Sequence, residues 1–168
     1  MPALVAERLE PATDRCVIRA PDGAAHLAAA LASLGTVEQL VTTEPLHVLT
    51  LATPQPAADA WAAVEKALGG KHAAYPVLID TDGAPHYPTG DITVRFEQTP
   101  SAGDVKAFGD AHGLKLARAN ELAPKQFVYA PVAPAAEFLP DLVARLASQP
   151  GVRSAWANTL SVYRRGAS

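Results

Sequence analysis

Residues 90–117 read GDITVRFEQTPSAGDVKAFGDAHGLKLA. Ile92, Val94 and Phe96 alternate with Thr93, Arg95 and Glu97, the period of two expected of a strand with one buried and one exposed face. Pro100 and Ser101 then open a segment in which Val105, Phe108 and Ala111 recur at helical spacing. Ser101 stands where an N-cap oxygen accepts from free helix N–H groups, and Gly113 where a left-handed C-cap falls. The stretch therefore predicts a strand followed at once by a helix.

Further along, Leu114, Leu116 and Ala117 predict a second strand, 120–125 a polar turn holding Pro124, and 126–132 a third strand with Phe127 and Tyr129 on one face. Phe138, Leu139, Leu142, Val143 and Leu146 mark an amphipathic helix that Gln149, Pro150 and Gly151 stop before an extended pattern resumes at 152–157. The order is strand, helix, strand, strand, helix, strand. The first half repeats it. Residues 16–18 predict a strand, 22–34 an Ala-rich helix with Leu27, Leu31 and Leu34 at helical spacing, and Gly35 stands where Gly113 stood. Residues 37–41 and 46–51 flank Pro45 as two strands, 57–68 repeat the second helix, and 75–79 the last strand.

An offset of about 78 residues, that from Gly35 to Gly113, recurs across the elements and points to a duplicated unit. The expected fold is α+β: two tandem ferredoxin-like βαββαβ sandwiches, each a four-stranded antiparallel sheet with two helices on one face. The expected boundaries are an N-terminal extension at 1–13, a first unit at 14–80, a linker at 81–90, a second unit at 91–159 and a C-terminal tail at 160–168. From Asp80 to Gly90, the residues Asp82, Gly83, Pro85, Pro88 and Gly90 supply the turn residues of a linker or a hairpin joining the units.

Composition limits the function. At 49% hydrophobic and 18% charged residues, the 168-residue chain can bury a core and is not compositionally disordered. A net charge of −3 gives no basic field to concentrate a phosphate backbone, so no nucleic-acid partner is expected. The strand at 46–51 also lacks aromatics to stack bases, and that at 126–132 has Phe127 and Tyr129 without the glycines or basic start of an RNA-binding strand. Glu7, Arg8 and Glu10 interrupt the N-terminus, and no run of about 18 apolar residues exists, so neither a signal peptide nor a membrane span is expected. A cytoplasmic protein follows for the chain as written, a secreted one for a fragment of a precursor.

The single Cys16 cannot form an intramolecular disulfide and reads as a buried structural thiol. His26, His47, His72, His86 and His112 lack metal-ligand spacing, and no phosphate loop is present, so no metal or cofactor is expected. Asp80 and Asp82 before Gly83 resemble the start of a calcium loop, but the downstream glutamate is missing and the stretch reads as a turn. No GxSxG elbow or cysteine-protease signature occurs, and the serines sit at caps, turns and the tail, so no enzyme is expected.

Three stretches carry a family resemblance: TGDITVRFEQTPSAGDVKAFGDAHGLKLARAN at 89–120, KQFVYAPV at 125–132 and LASQPGVRSAWAN at 146–158. Together they resemble the N-terminal prodomain, the propeptide inhibitor, of bacterial subtilisin-like serine proteases. The last stretch is similar to that family's P-x-V-x-x-A-x-P-N signature through Pro150, Val152, Ala155 and Asn158, with Ala157 where proline is commoner. The resemblance covers the second unit, and reaches the first through the repeat and through YPVLIDTDGAPHYPTGDITVRF at 75–96. No catalytic signature of the protease itself follows, and His112-Gly113 lacks the continuation of a subtilase histidine motif.

The resemblance implies a non-enzymatic protein that binds a subtilisin-like serine protease as inhibitor, folding chaperone or recruitment module, in trans or, within a longer precursor, in cis. The sheet's open face would pack on two surface helices of the protease. The segment after the last strand would lie extended in the substrate cleft, by strand addition and pocket filling. That segment is Leu160, Ser161, Val162, Tyr163, Arg164, Arg165, Gly166, Ala167 and Ser168, with Tyr163 or the terminal Ala167 and Ser168 nearest the cleft. Arg164, Arg165 and Gly166 depart from the apolar anchors such clefts accept. Glu121, on the hairpin side, matches the family's acidic residue that caps protease helices. A second reading is a tandem small-molecule sensor of the ACT type, which shares the topology and takes a glycine at the first strand-to-helix turn. Pro21-Asp22-Gly23 fits that place, and Pro100-Ser101-Ala102-Gly103 fits it less well.

Overall fold

A computed structural model describes residues 9–21, 25–40 and 45–161. The protein is mixed α+β, with an eight-stranded antiparallel sheet and four α-helices among the described residues. In chain order the elements are β1 (Glu10–Arg19), α1 (Ala25–Ala30), β2 (Gly35–Gln39), β3 (Leu46–Leu51), α2 (Ala57–Leu68), β4 (Ala73–Ile79), β5 (Pro85–Phe96), α3 (Ala102–His112), β6 (Leu114–Ala119), β7 (Gln126–Pro131), α4 (Leu139–Ala147) and β8 (Val152–Leu160). Hydrogen-bonded neighbours run β2-β3-β1-β4-β5-β7-β6, and β8 pairs β5. The chain divides into two compact units, Met1–Pro88 with Thr159–Ser168, and Thr89–Asn158.

In the first unit, Cys16-Val17-Ile18 is a continuous apolar run because β1 is buried on both faces. Cys16 and Ile18 pair with Leu49 and His47 of β3 and face the helices, where Leu27, Leu31, Ala60, Val64 and Leu68 close the core. Val17, Val48, Tyr75 and Val77, on the alternate face, are buried as well. Two hydrogen bonds lock α2 to β4: Trp61 Nε1 donates to the Ala74 carbonyl at 3.0 Å, and the Ala74 N–H donates to Glu65 Oε1 at 3.1 Å. Burial raises the Glu65 carboxyl above its ordinary range. Burial, with the Glu65 charge adding to it, pushes the Cys16 thiol up to about 12, which disfavours the thiolate in this packed position.

In the second unit, Ser101 caps α3 as expected. Its hydroxyl accepts from the Asp104 N–H at 3.1 Å, and the Asp104 carboxylate accepts from the Ser101 N–H at 3.2 Å. Gly113 ends the helix at φ 68°, the left-handed C-cap. Phe96, Phe108, Phe127 and Tyr129 pack edge-on or tilted with ring centroids 5.2 to 5.9 Å apart. Tyr129 donates to the Val105 carbonyl at 2.8 Å, tying β7 to α3. Arg145 of α4 forks onto Glu137 at 2.9 and 3.2 Å and meets His112 Nδ1 at 2.9 Å, which joins the two helices at their ends.

Several expectations are corrected. Of the linker and hairpin readings of 81–90, the structure has the hairpin: a tight turn closes at Ala84, and β5 begins at Pro85 and pairs with β4. Of this stretch, Pro85 and His86 register with β4. The ladders run through one sheet, in which the 12-residue β5 pairs with β4 through its first residues and with β7 through Ile92 to Arg95. β1 begins at Glu10, inside the expected extension, and β8 includes Leu160, the first residue of the expected tail. The helix expected at 22–34 is described only as the six-residue α1, followed by turns over 31–34. Gly35 is not a left-handed cap; it starts β2. A Cβ there would stand 2.0 Å from the Thr50 carbonyl oxygen, so glycine is required by close approach.

That contact yields a paired test. Gly35→Ala should destabilise the chain by about 1–3 kcal/mol in urea unfolding, because the backbone of β3 must shift. Gly103→Ala should raise stability by about 0.5–1 kcal/mol, since a Cβ in the first turn of α3 meets only Ser101 Oγ at 3.8 Å. Equal effects of the two changes would contradict the packing described.

Candidate functional site

The helices of the second unit take one face of its strands. Ile92 and Val94 stand opposite Tyr129 and Phe127, the residues that pack toward α3. Thr93 and Val128, paired with each other, therefore point to the helix-free face. Thr93 was expected to be solvated there, yet it is buried, because its hydroxyl bonds Asn158 Oδ1 of β8 at 2.7 Å. A groove of about 410 Å³ opens on this face, with Thr93 and Val128 at its floor and Arg118, Glu121, Leu122 and Trp156 around it. Leu122 is 97% exposed and Trp156 40% exposed, two large apolar side chains facing solvent together.

Local chemistry sets this rim. Asn120 Oδ1 accepts from the Leu122 N–H at 3.1 Å, an Asx turn that holds the β6–β7 connection and lifts Glu121 and Leu122 outward. Glu121 is exposed on that turn. A register shift between Leu116 and Arg118 twists β6 as it enters the turn. A second cavity of about 320 Å³ lies along α3 and β6, with Leu114, Leu116, Tyr129 and Val132 giving it an apolar wall. Its charged residues are Lys106 and Asp110, which pair with each other at 2.6 Å, and Lys115.

Of the residues expected to meet a protease, Glu121 thus lies on the groove rim. Leu160 is the last residue of β8, half-buried, and Ser161 follows it, exposed. Val162, Tyr163, Arg164, Arg165, Gly166, Ala167 and Ser168 lie outside the described residues, as do Asp22 and Gly23 of the sensor reading. Trp156, Leu122 and Arg118 were missed at the sequence level. The signal for Trp156 was a large aromatic in a strand otherwise rich in small and polar residues.

A polar cluster in the first unit was also missed. Asp80 Oδ2 lies 2.8 Å from His86 Nε2, and His86 Nδ1 lies 3.3 Å from Ser161 Oγ. Spacing along the chain gave no hint of it, since 75 residues separate His86 from Ser161. The serine had been assigned to the tail alone. Asp80 and Asp82 do form a turn, with Asp80 Oδ1 accepting from the N–H groups of Asp82 and Ala84, both at 2.9 Å.

The hydrogen bond to His86, then those from the Ala84 and Asp82 amides, hold the Asp80 carboxyl below the usual carboxylate range. A lowered carboxyl stabilises the fold above its unfolded value of about 3.9, and that stability is lost as pH falls through the lower folded value. Between about pH 5 and about pH 3, thermal melts should therefore show Asp80→Asn losing less stability than the native chain. An equal loss in both would detach Asp80 from the acid response.

Among the described residues, no group of three or more His, Cys, Asp or Glu is placed to hold a metal ion, and no helix is long and apolar enough to cross a membrane. No protein-family model matches the chain, and no curated protein matches it in sequence.

Proposed function

We propose that the chain comprises two ferredoxin-like modules and binds a subtilisin-like serine protease, as inhibitor, folding chaperone or recruitment module. The strand neighbours support the modular reading: β2-β3-β1-β4 in the first half and β6-β7-β5-β8 in the second, each with two helices in the βαββαβ order. One observation carries the functional reading. The helix-free face of the second unit exposes Trp156 and Leu122 beside the turn bearing Glu121. That is the face, and the turn, on which the resemblance to subtilase prodomains places the protease helices.

The physics of such a contact is direct. Burying an apolar side chain of this size contributes about 1.5–3 kcal/mol, and tryptophan is the residue type most often dominant at interfaces. A carboxylate at a helix N-terminus adds about 0.3–1 kcal/mol when exposed. Residues 160–168, which start at the last residue of β8, are the segment the resemblance assigns to the substrate cleft, where strand addition supplies affinity through the backbone.

In a chromogenic peptide assay, the full chain should slow a subtilisin-like protease. Trp156→Ala should weaken inhibition about tenfold or more, the loss expected of a central aromatic anchor. Glu121→Lys should weaken it about threefold or more through the helix dipole. Deleting 162–168 should abolish inhibition while leaving the circular dichroism spectrum unchanged. Inhibition that survives all three changes would reject this reading.

A further inference from the structure

Beyond the protease-binding reading, which also uses Ser161, we propose that Ser161, His86 and Asp80 form a nucleophilic serine site that accepts the acyl group of an activated ester. All three residues belong to the first unit. None of them lines the groove on the second.

The hydrogen-bond pattern assigns the protons. An ionised carboxylate only accepts, so the hydrogen between Asp80 and His86 sits on His86 Nε2, 2.8 Å from Oδ2. In the neutral ring Nδ1 then holds a lone pair, and the group facing it at 3.3 Å is the Ser161 hydroxyl. The serine therefore donates to a base whose tautomer and direction are fixed by a carboxylate. These are the three roles of nucleophile, base and orienting acid. The nitrogens are used in the reverse sense to the usual serine-hydrolase arrangement, with Nδ1 toward the hydroxyl and Nε2 toward the carboxylate. Either imidazole nitrogen can serve as the base.

Accessibility is graded as the chemistry needs. The Asp80 side chain is 8% exposed and that of His86 17%, whereas Ser161 is open to solvent. Asp80 is also held rigidly. Its Oδ1 accepts two backbone N–H groups, and the turn is closed by Gly83 N–H to Asp80 O at 3.0 Å and Asp80 N–H to Ala84 O at 3.1 Å. A base oriented by a fixed acid beside an accessible hydroxyl is an arrangement for attack on a small electrophile.

In the step proposed, Ser161 Oγ bonds the ester carbonyl carbon as its proton passes to His86 Nδ1. The tetrahedral adduct collapses with cleavage of the bond to the leaving oxygen, which takes that proton and departs as the alcohol. An acyl ester remains on Ser161. Water, deprotonated by the same nitrogen, then releases the carboxylic acid and restores the hydroxyl. Activated esters are the fitting class because their leaving groups depart readily.

The test uses the full chain with no protease present. A fluorophosphonate probe should attach to Ser161 with loss of fluoride, and peptide fragmentation should place the adduct on Ser161 and not on Ser154 of the same tryptic peptide. His86→Gln keeps a donor toward Asp80 but removes the base, and should slow labelling about tenfold or more, the low end of general-base contributions. Asp80→Asn keeps the turn acceptor, loses control of the tautomer and should also slow labelling. p-Nitrophenyl acetate should release nitrophenolate with acetylation of Ser161, and Ser161→Ala should show neither. Absence of label on Ser161, or equal rates in native chain and a His86→Gln variant of native circular dichroism, would overturn the proposal.

Discussion

A hydrogen bond of 2.8 Å from the Tyr129 hydroxyl to the Val105 carbonyl fixes which face of the second unit meets its helices. The donor is the largest of the fully buried side chains, and its ring packs on Phe108 of α3, which in turn packs on Phe96 of β5. Burial pushes the phenol up to about 12, so it remains a neutral donor throughout the physiological range. Once β5 and β7 commit these residues to the helices, strand alternation turns Thr93 and Val128 the other way. The groove beside Trp156 follows from that commitment. Two exposed large apolar side chains, Leu122 and Trp156, beside an Asx turn on a face otherwise lined mainly by polar residues are the physical basis of the proposed protease contact.

Much of this arrangement was legible in the sequence because the decisive signals are local. Ser101 and Gly113 bracket α3 through chemistry within a few residues of each other, and 46–51 and 57–68 were bounded as the structure has them. Where prediction failed, a contact distant in sequence overrode a local signal. Gly35 reads as a helix cap but is required by the Thr50 carbonyl, and Pro85, Pro88 and Gly90 read as turn residues of a linker or hairpin but lie within β5. Thr93 reads as solvated but is covered through its bond to Asn158. Glu121 is singled out by the family resemblance alone, and turn position by itself would leave it a solvated glutamate. Trp156 and Arg118 join it at the groove only through strand pairing, and the cluster of Asp80, His86 and Ser161 only through the path of β8.

The two units carry different chemistry. In the first, both faces of β1 are buried, Cys16 sits in the core and Glu65 is half-buried against it, both with their ionised forms disfavoured, while Asp80, His86 and Ser161 form a separate polar cluster. In the second, the helix side is closed by aromatics and by the Glu137–Arg145–His112 network, while the opposite side exposes apolar surface. Burial, with the Arg145 charge adding to it, lowers the His112 pKa, which favours the neutral ring that accepts from the guanidinium. That network braces α3 and α4 on the side opposite the helix-free face.

The most direct test of the proposed binding surface is hydrogen–deuterium exchange of the full chain with and without a subtilisin-like protease whose catalytic serine has been replaced. Slowed exchange at 118–122 and 152–158 is the predicted result. Unchanged exchange in those two segments at saturating protease, or protection confined to other parts of the chain, would contradict the account.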